Sequence, residues 1–462
     1  MKKIALILVI IIILASAFFV LAYKWNRTKV VVIGLDGADW RFINPLVEKG
    51  KLPNIEKLLK KSAYGYLRTA KPAKSAILWT SISTGKRMEK HGIVDWTYVD
   101  KKAKEKIQRV KLITGKERTA ATVWEILGEK DYTVGVVNWW VTYPANKVNG
   151  FLITDRLRNV INRESIIEEK NLVYPESLIN ELRPYVIKQQ HTIPVLQQYG
   201  FEIYRTEKVK EFYSPSRFFE KMFSQIHLYV GQDKMVADWS IRMFNKEQPD
   251  FFAVVLRITD VYAHLAWRFI DKKLLEETVP KIKLDSLLND DENVRREAFK
   301  LIDQLDKEYA KVLYPAYKFA DDFIGQVMKL INDNTVIIII SDHGFQWHGG
   351  GYDHNPMWGE DYPPEPPHGI IIIYGKNIIP GSINDATIYS VCPTILYAMN
   401  EAVARDMDGK PLKEAFKNTF FARKRERFID SYGVGPLNSK ATPSQAAEEE
   451  VLEDLKSLGY IK

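Results

Sequence analysis

Three short runs of nearly unbroken apolar residues, each stopping at an acid, constrain this 462-residue chain more than any other feature. Residues 30–33 lead into Gly34-Leu35-Asp36-Gly37, residues 251–258 into Thr259-Asp260, and residues 336–340 into Ser341-Asp342-His343-Gly344. A strand that is apolar on both faces belongs inside a parallel sheet covered by helices on each side. Residues 132–138 have the same character, and a further run, residues 369–374, follows directly on His368. Helical stretches alternate with these strands at residues 54–61, 75–84, 122–129 and 309–331. The expected fold is therefore α/β, a doubly wound, mostly parallel sheet.

Residues 151–250 break the alternation with long amphipathic stretches, 176–190 and 216–245, and read as a largely helical insertion or cap. Residues 271–308 are charge-rich and helical in pattern, and residues 411–462 read as a peripheral polar tail closing in a helix. The expected organisation is an N-terminal segment (1–27), a catalytic α/β domain in two parts (28–150 and 251–410) around the insertion (151–250), and the tail (411–462). With 46% hydrophobic residues the chain has ample material for a core, which excludes a disordered protein.

Lys2 and Lys3 precede an apolar run over residues 4–23, which is followed by Lys24, Arg27 and Lys29. About 20 residues at 1.5 Å each match a hydrocarbon core about 30 Å thick, so an N-terminal transmembrane helix is expected. Ala15-Ser16-Ala17 resembles a signal-peptidase site, which offers secretion as the alternative, but the chain stays apolar beyond it. An uncleaved anchor with an extracytoplasmic catalytic domain is the favoured reading. The net charge of +8 is compatible with anionic substrates or headgroups. No compact basic stripe with interleaved aromatics is present, so nucleic-acid binding is not expected. Cys392 is the only cysteine, which excludes an intrachain disulfide and any cysteine-built metal site.

In a parallel sheet the carboxyl ends of several strands share one edge, where groups distant in sequence meet. Asp36, Asp260, His264, Asp342 and His343 follow such strand ends, and His368 sits just before a strand. Oxygen and imidazole donors together suit zinc, manganese or iron rather than calcium. Asp260 and His264 are four residues apart and share a face if a helix begins there. Ser75 opens an apolar helix, where the free N–H groups and the helix dipole favour an approaching phosphate. Taken alone, Ser75 also fits an N-cap serine, and a lone strand-end Asp fits a turn.

Several motifs together make the chain resemble the type I phosphodiesterase/nucleotide pyrophosphatase branch of the alkaline phosphatase superfamily. They are Gly34-Leu35-Asp36-Gly37, Lys74-Ser75 ahead of Thr84-Gly85-Lys86, His91-Gly92-Ile93, Asp260 with His264, Ser341-Asp342-His343-Gly344, and His368-Gly369. The resemblance implies an alkaline phosphatase-like core and metal-dependent hydrolysis of phosphodiesters or nucleotide pyrophosphates. It further implies two divalent metal ions, zinc first and manganese as the alternative. One ion would be held by Asp260, His264 and His368. The other would be held by Asp36, Asp342 and His343 and would also touch the nucleophile, Ser75. A small-molecule or lipid phosphoester is the implied substrate, with a phosphoserine on the reaction path.

The chain departs from the pattern at Trp96, where nucleotide pyrophosphatases place an asparagine on a phosphate oxygen. Lys74 offers a substitute phosphate contact, and His348, Asp353 and His354 lie in a glycine- and aromatic-rich segment between two ligand motifs. Trp79, Trp96, Trp139, Trp140 and Trp347 fit either pocket walls or packing. Sulfatases share the superfamily, but Ser75 is followed by Ala76-Ile77-Leu78-Trp79, without their Cys/Ser-x-Pro-x-Arg motif. A phosphomonoesterase, a phosphomutase, a phosphotransferase and a catalytically silent surface protein are the remaining alternatives.

Overall fold

The computed structural model describes residues 27–99, 110–160, 170–187, 192–201, 217–270, 272–282, 291–347, 352–353, 366–421, 427–434, 448, 451–453 and 455–456. The apolar run at residues 4–23, His348 and His354 lie outside these. Among the described residues no helix is long and apolar enough to cross a membrane.

Nine strands form the central sheet. In chain order they are β1 (Lys29–Leu35), β2 (Ser62–Leu67), β3 (Val134–Trp139), β4 (Gly150–Thr154), β5 (Val173–Tyr174), β6 (Phe251–Leu256), β7 (Thr335–Ile340), β8 (Gly369–Tyr374) and β9 (Gly381–Ile383). Their spatial order is β9-β2-β8-β7-β1-β6-β3-β4-β5. Strands β7, β1, β6, β3 and β4 run parallel. Every residue of β3, β6 and β7 is buried, as strands covered on both faces require.

The helices named here are α1 (Trp40–Glu48), α2 (Pro53–Leu59), α3 (Ser75–Thr84), α4 (Val123–Gly128), α5 (Arg217–Glu247), α6 (Ile258–Ala266), α7 (Glu292–Leu330) and α8 (Val391–Ala398). Helices α1, α5, α6 and α7 form one packed layer, and α3, α4 and α8 form another. This is the doubly wound α/β arrangement expected.

Two expectations need correcting. The described part of the segment 151–250 is not a helical unit set apart: β4 and β5 belong to the central sheet, and α5 packs directly on β3 and β6. Its amphipathic pattern reflects a helix lying on the sheet, which periodicity cannot distinguish from a cap. The second correction concerns β8, which runs antiparallel to both β7 and β2. Because it runs the other way, its beginning lies at the edge where the parallel strands end, so His368 reaches that edge by preceding a strand.

Candidate active site

Strand register sets the geometry of the site. Gly34 is level with Val255 on one side and Ile340 on the other, so β1, β6 and β7 end together. Asp36 lies one residue past β1, Asp342 two past β7, and Asp260 in the first turn of α6, which begins two residues past β6. The turn that re-aims the chain after Asp36 depends on Gly37, whose φ is +70° and whose position would bring a Cβ to 3.0 Å from the Cβ of Asp260.

Helix α6 places Asp260 and His264 on one face as expected, with His264 Nε2 at 3.4 Å from Asp260 Oδ1. His343 Nε2 lies 3.5 Å from Asp36 Oδ1, 3.9 Å from Asp260 Oδ1 and 3.6 Å from Asp342 Oδ2. Its Nδ1 is 3.1 Å from the Gly344 carbonyl. A carbonyl only accepts, so Nδ1 carries a proton, and Nε2 is the nitrogen turned toward the carboxylates. Asp260 Oδ1 thus faces both His264 and His343, joining residues that the resemblance assigns to separate ions.

Ser75 is the first residue of α3 and is fully buried. Its Oγ lies 3.4 Å from Asp36 Oδ1 and 3.5 Å from His343 Nε2. Every residue of α3 is buried, and three of its hydroxyls are satisfied within the helix: Thr80 donates to the Ala76 carbonyl, and Ser83 and Thr84 to the Thr80 carbonyl. The contacts of Ser75 with Asp36 and His343 set the start of α3 beside the ends of β1 and β7.

Three buried carboxylates crowd this rim. Burial first, and the Asp260 charge second, raise the Asp36 carboxyl above the usual carboxylate range, while His343 and the Trp140 N–H act against the rise. Burial and then the Asp36 charge hold Asp342 well above that range. Among the described residues, Asp342 Oδ2 is buried with no hydrogen-bond partner. Donor atoms of Asp36, Asp260 and His343 all lie within 4.8 Å of one another, a set that fits a divalent cation. Such an ion would relieve the carboxylate repulsion that burial intensifies.

The remaining expected residues are placed as follows. His368 borders the 342–344 loop: Gly344 N–H donates to the Pro367 carbonyl at 2.8 Å, and a Cβ at Gly344 would meet the His368 carbonyl at 2.7 Å. Lys74 pairs with Asp95 at 2.7 Å. Trp96 is only 3% exposed and meets the Trp140 ring edge-on at 5.0 Å, a packed position one ring removed from Asp36. Trp79 and Trp140 were legible only as walls or packing. Their indole N–H groups donate to Asp36 Oδ2 at 3.3 and 2.8 Å, and Thr259 donates to the Asp36 carbonyl at 2.6 Å. The available signal was position: Trp140 follows a strand end just as Asp36 does.

Two predictions test this scaffold. A Cβ on Gly34 would meet the Trp79 ring at 2.5 Å. Gly34→Ala is expected to destabilise the fold by about 1–3 kcal/mol, read as a lower urea midpoint. His91, in the His-Gly-Ile segment, accepts the Ile93 N–H on Nδ1 and meets Ser81 Oγ through Nε2 at 3.0 Å. Burial, with the Arg118 charge, lowers its pKa to about 4. The folded state therefore keeps His91 neutral while the unfolded chain protonates it below about pH 6.5. Its contribution is complete above that pH and is lost as pH falls toward 4, a span worth on the order of 3 kcal/mol. The stability difference between wild type and His91→Gln should accordingly shrink between pH 7 and pH 4.5. A difference independent of pH would contradict the assignment.

Among curated proteins none matches the chain. Among solved structures, it resembles BT4656 in complex with its substrate D-glucosamine-2-N,6-O-disulfate at 14% identity and TM-score 0.45, covering 90% of this chain and 82% of that one. It resembles an inactive form of murine ectonucleotide pyrophosphatase/phosphodiesterase 5 in complex with AMP at 11% identity and TM-score 0.45, covering 84% of this chain and 100% of that one. BT1596, a 2-O GAG sulfatase, is similar at 10% identity and TM-score 0.44, covering 85% of this chain and 74% of that one. The family model for type I phosphodiesterase/nucleotide pyrophosphatase matches residues 30–385, from the first strand past His368. The chain therefore belongs to the type I phosphodiesterase/nucleotide pyrophosphatase family and is a hydrolase of the alkaline phosphatase superfamily.

Proposed function

We propose that the chain hydrolyses phosphodiesters or nucleotide pyrophosphates through a phosphoserine formed on Ser75. The observation that carries this reading is the buried Ser75 hydroxyl at the start of α3, 3.4 Å from Asp36 and 3.5 Å from His343. Asp36, Asp260 and His343, with Asp342, His264 and His368 beside them, are the residues that would hold divalent metal. Zinc suits this donor set, with manganese as the alternative. The metal would supply positive charge to the phosphoryl oxygens and make the serine hydroxyl acidic enough to attack.

The chain's own contribution is placement. Ser75 Oγ gives up its proton to water and forms a bond to phosphorus, while the ester oxygen on the far side departs with the bonding pair and takes up a proton from water. Water then cleaves the phosphoserine and restores the hydroxyl. The start of α3 lends its N–H groups and dipole to the phosphoryl charge. Burial of Ser75 and the three carboxylates limits the water around that charge and so strengthens each of these interactions. The apolar run at residues 4–23 supports a membrane-held enzyme acting outside the cytoplasm on a small-molecule or lipid phosphoester.

The test is nitrophenol release from bis-p-nitrophenyl phosphate against p-nitrophenyl phosphate. Faster cleavage of the diester, abolished by chelation, is expected. Preference for the monoester would replace the diesterase reading with phosphatase or mutase chemistry. Turnover of neither substrate would turn the reading toward a transferase or a silent binding protein.

A further inference from the structure

Asp36 is held by more than its strand. Its Oδ2 receives the Trp140 indole N–H at 2.8 Å and the Trp79 indole N–H at 3.3 Å, while Oδ1 faces Ser75 and His343. Two donors from different elements fix the plane of a carboxylate, so one oxygen is always presented to the reacting side. Trp79 lies one helical turn along α3 from Ser75, which opens that helix, and Trp140 is the residue after β3.

The Trp140 ring is itself held by charge. The guanidinium carbons of Arg257 and Arg158 lie 4.5 and 4.9 Å from its ring centroid, and both arginines are only 2% exposed. Desolvated cations over an indole face are among the stronger contacts of this kind. Arg158 also donates to Asn138, two residues before Trp140. Arg257 lies at the start of α6, where Asp233 of α5 accepts the N–H groups of Arg257 and Ile258 at 2.7 and 2.6 Å. A continuous set of contacts therefore joins α5 to two of the three rim carboxylates, to Asp260 through the start of α6 and to Asp36 through Arg257 and Trp140.

We propose that Trp140 is a positioning residue for the metal centre: its indole N–H, braced by Arg158 and Arg257, sets the Asp36 carboxylate for metal binding. This rests on the reading that Asp36 binds metal. The full-length chain, stripped with chelator, is titrated calorimetrically with Zn²⁺ alone and with Mn²⁺ alone, and its thermal midpoint is recorded. Trp140→Phe removes the N–H while keeping an aromatic ring over which the arginines can lie. Trp124→Phe is the control, because Trp124 is similarly buried and packs edge-on against Trp139 at 5.6 Å, with Trp139 between it and the rim.

Both substitutions are expected to lower the thermal midpoint. Only Trp140→Phe is expected to weaken metal binding, by about 10–100-fold. Unchanged metal affinity in a folded Trp140→Phe overturns the proposal, and so does an equal loss in Trp124→Phe, which would mark general loosening of the core. Should Trp140→Phe not fold, Trp79→Phe removes the longer of the two bonds: a smaller loss of affinity supports the clamp, and unchanged affinity overturns it. Wild-type protein that binds neither ion would overturn the metal reading along with this one, whereas tight wild-type binding with an indifferent Trp140→Phe overturns this one alone.

Discussion

Ser75→Ala is expected to lower turnover of a phosphodiester by at least about 10³-fold while leaving the fold intact. The hydroxyl is the group that forms the covalent bond, and no neighbouring side chain replaces it at the start of α3. Its loss costs little stability: the Oγ contacts to Asp36 and His343 are long, 3.4 and 3.5 Å, and α3 is held by its buried apolar residues. Because the metal-binding residues remain, Zn²⁺ should still bind the variant. An active Ser75→Ala enzyme would remove Ser75 from the chemistry and leave a directly activated water as the nucleophile.

The second large effect concerns metal removal. Stripping the ion leaves Asp36, Asp260 and Asp342 buried together at the rim, with their mutual repulsion uncompensated. Restoring Zn²⁺ at about 1,000 times its Kd would add about 4 kcal/mol to the folded state. With an unfolding entropy near 2.1 cal/mol/K per residue, a chain of this length gains about 4 °C in thermal midpoint. Chelation should abolish turnover over the same range of metal concentration. A midpoint unmoved by both Zn²⁺ and Mn²⁺ would contradict the assignment of the carboxylate rim as a metal centre.

Much of this site was legible before any coordinates. The acids after β1, β6 and β7 stood out because fully buried parallel strands are apolar on both faces, and a charge at their carboxyl end is conspicuous. The spacing of Asp260 and His264 declared a helical turn, and α3 begins at Ser75 as its apolar pattern indicates. Strand direction was not legible: nothing in Gly369–Tyr374 states that β8 runs backwards, because direction is decided by neighbours. The same limit hid β4 and β5 within a segment that read as helical, since two short strands add little to a pattern dominated by α5.

Support for the rim was harder to read than the rim itself. Trp140, Arg158, Arg257 and Asp233 come from four separate stretches of chain, and each has an ordinary explanation in isolation. Buried arginines are unusual enough to demand partners, yet burial is a property of the fold and not of the residue. The division of ligands into two sets also came from resemblance. In the structure Asp260 Oδ1 faces His264 at 3.4 Å and His343 at 3.9 Å, which joins the two sets at one carboxylate oxygen.

Covalent chemistry at Ser75 can be caught by acid-quenching the enzyme during turnover of bis-p-nitrophenyl phosphate and mapping the peptides by mass spectrometry. Phosphate or nitrophenyl phosphate is expected on Ser75, present with Zn²⁺ or Mn²⁺ and lost on chelation. Turnover that leaves Ser75 unmodified at every quench time, with the adduct found on another side chain or on none while Ser75→Ala remains active, would contradict it.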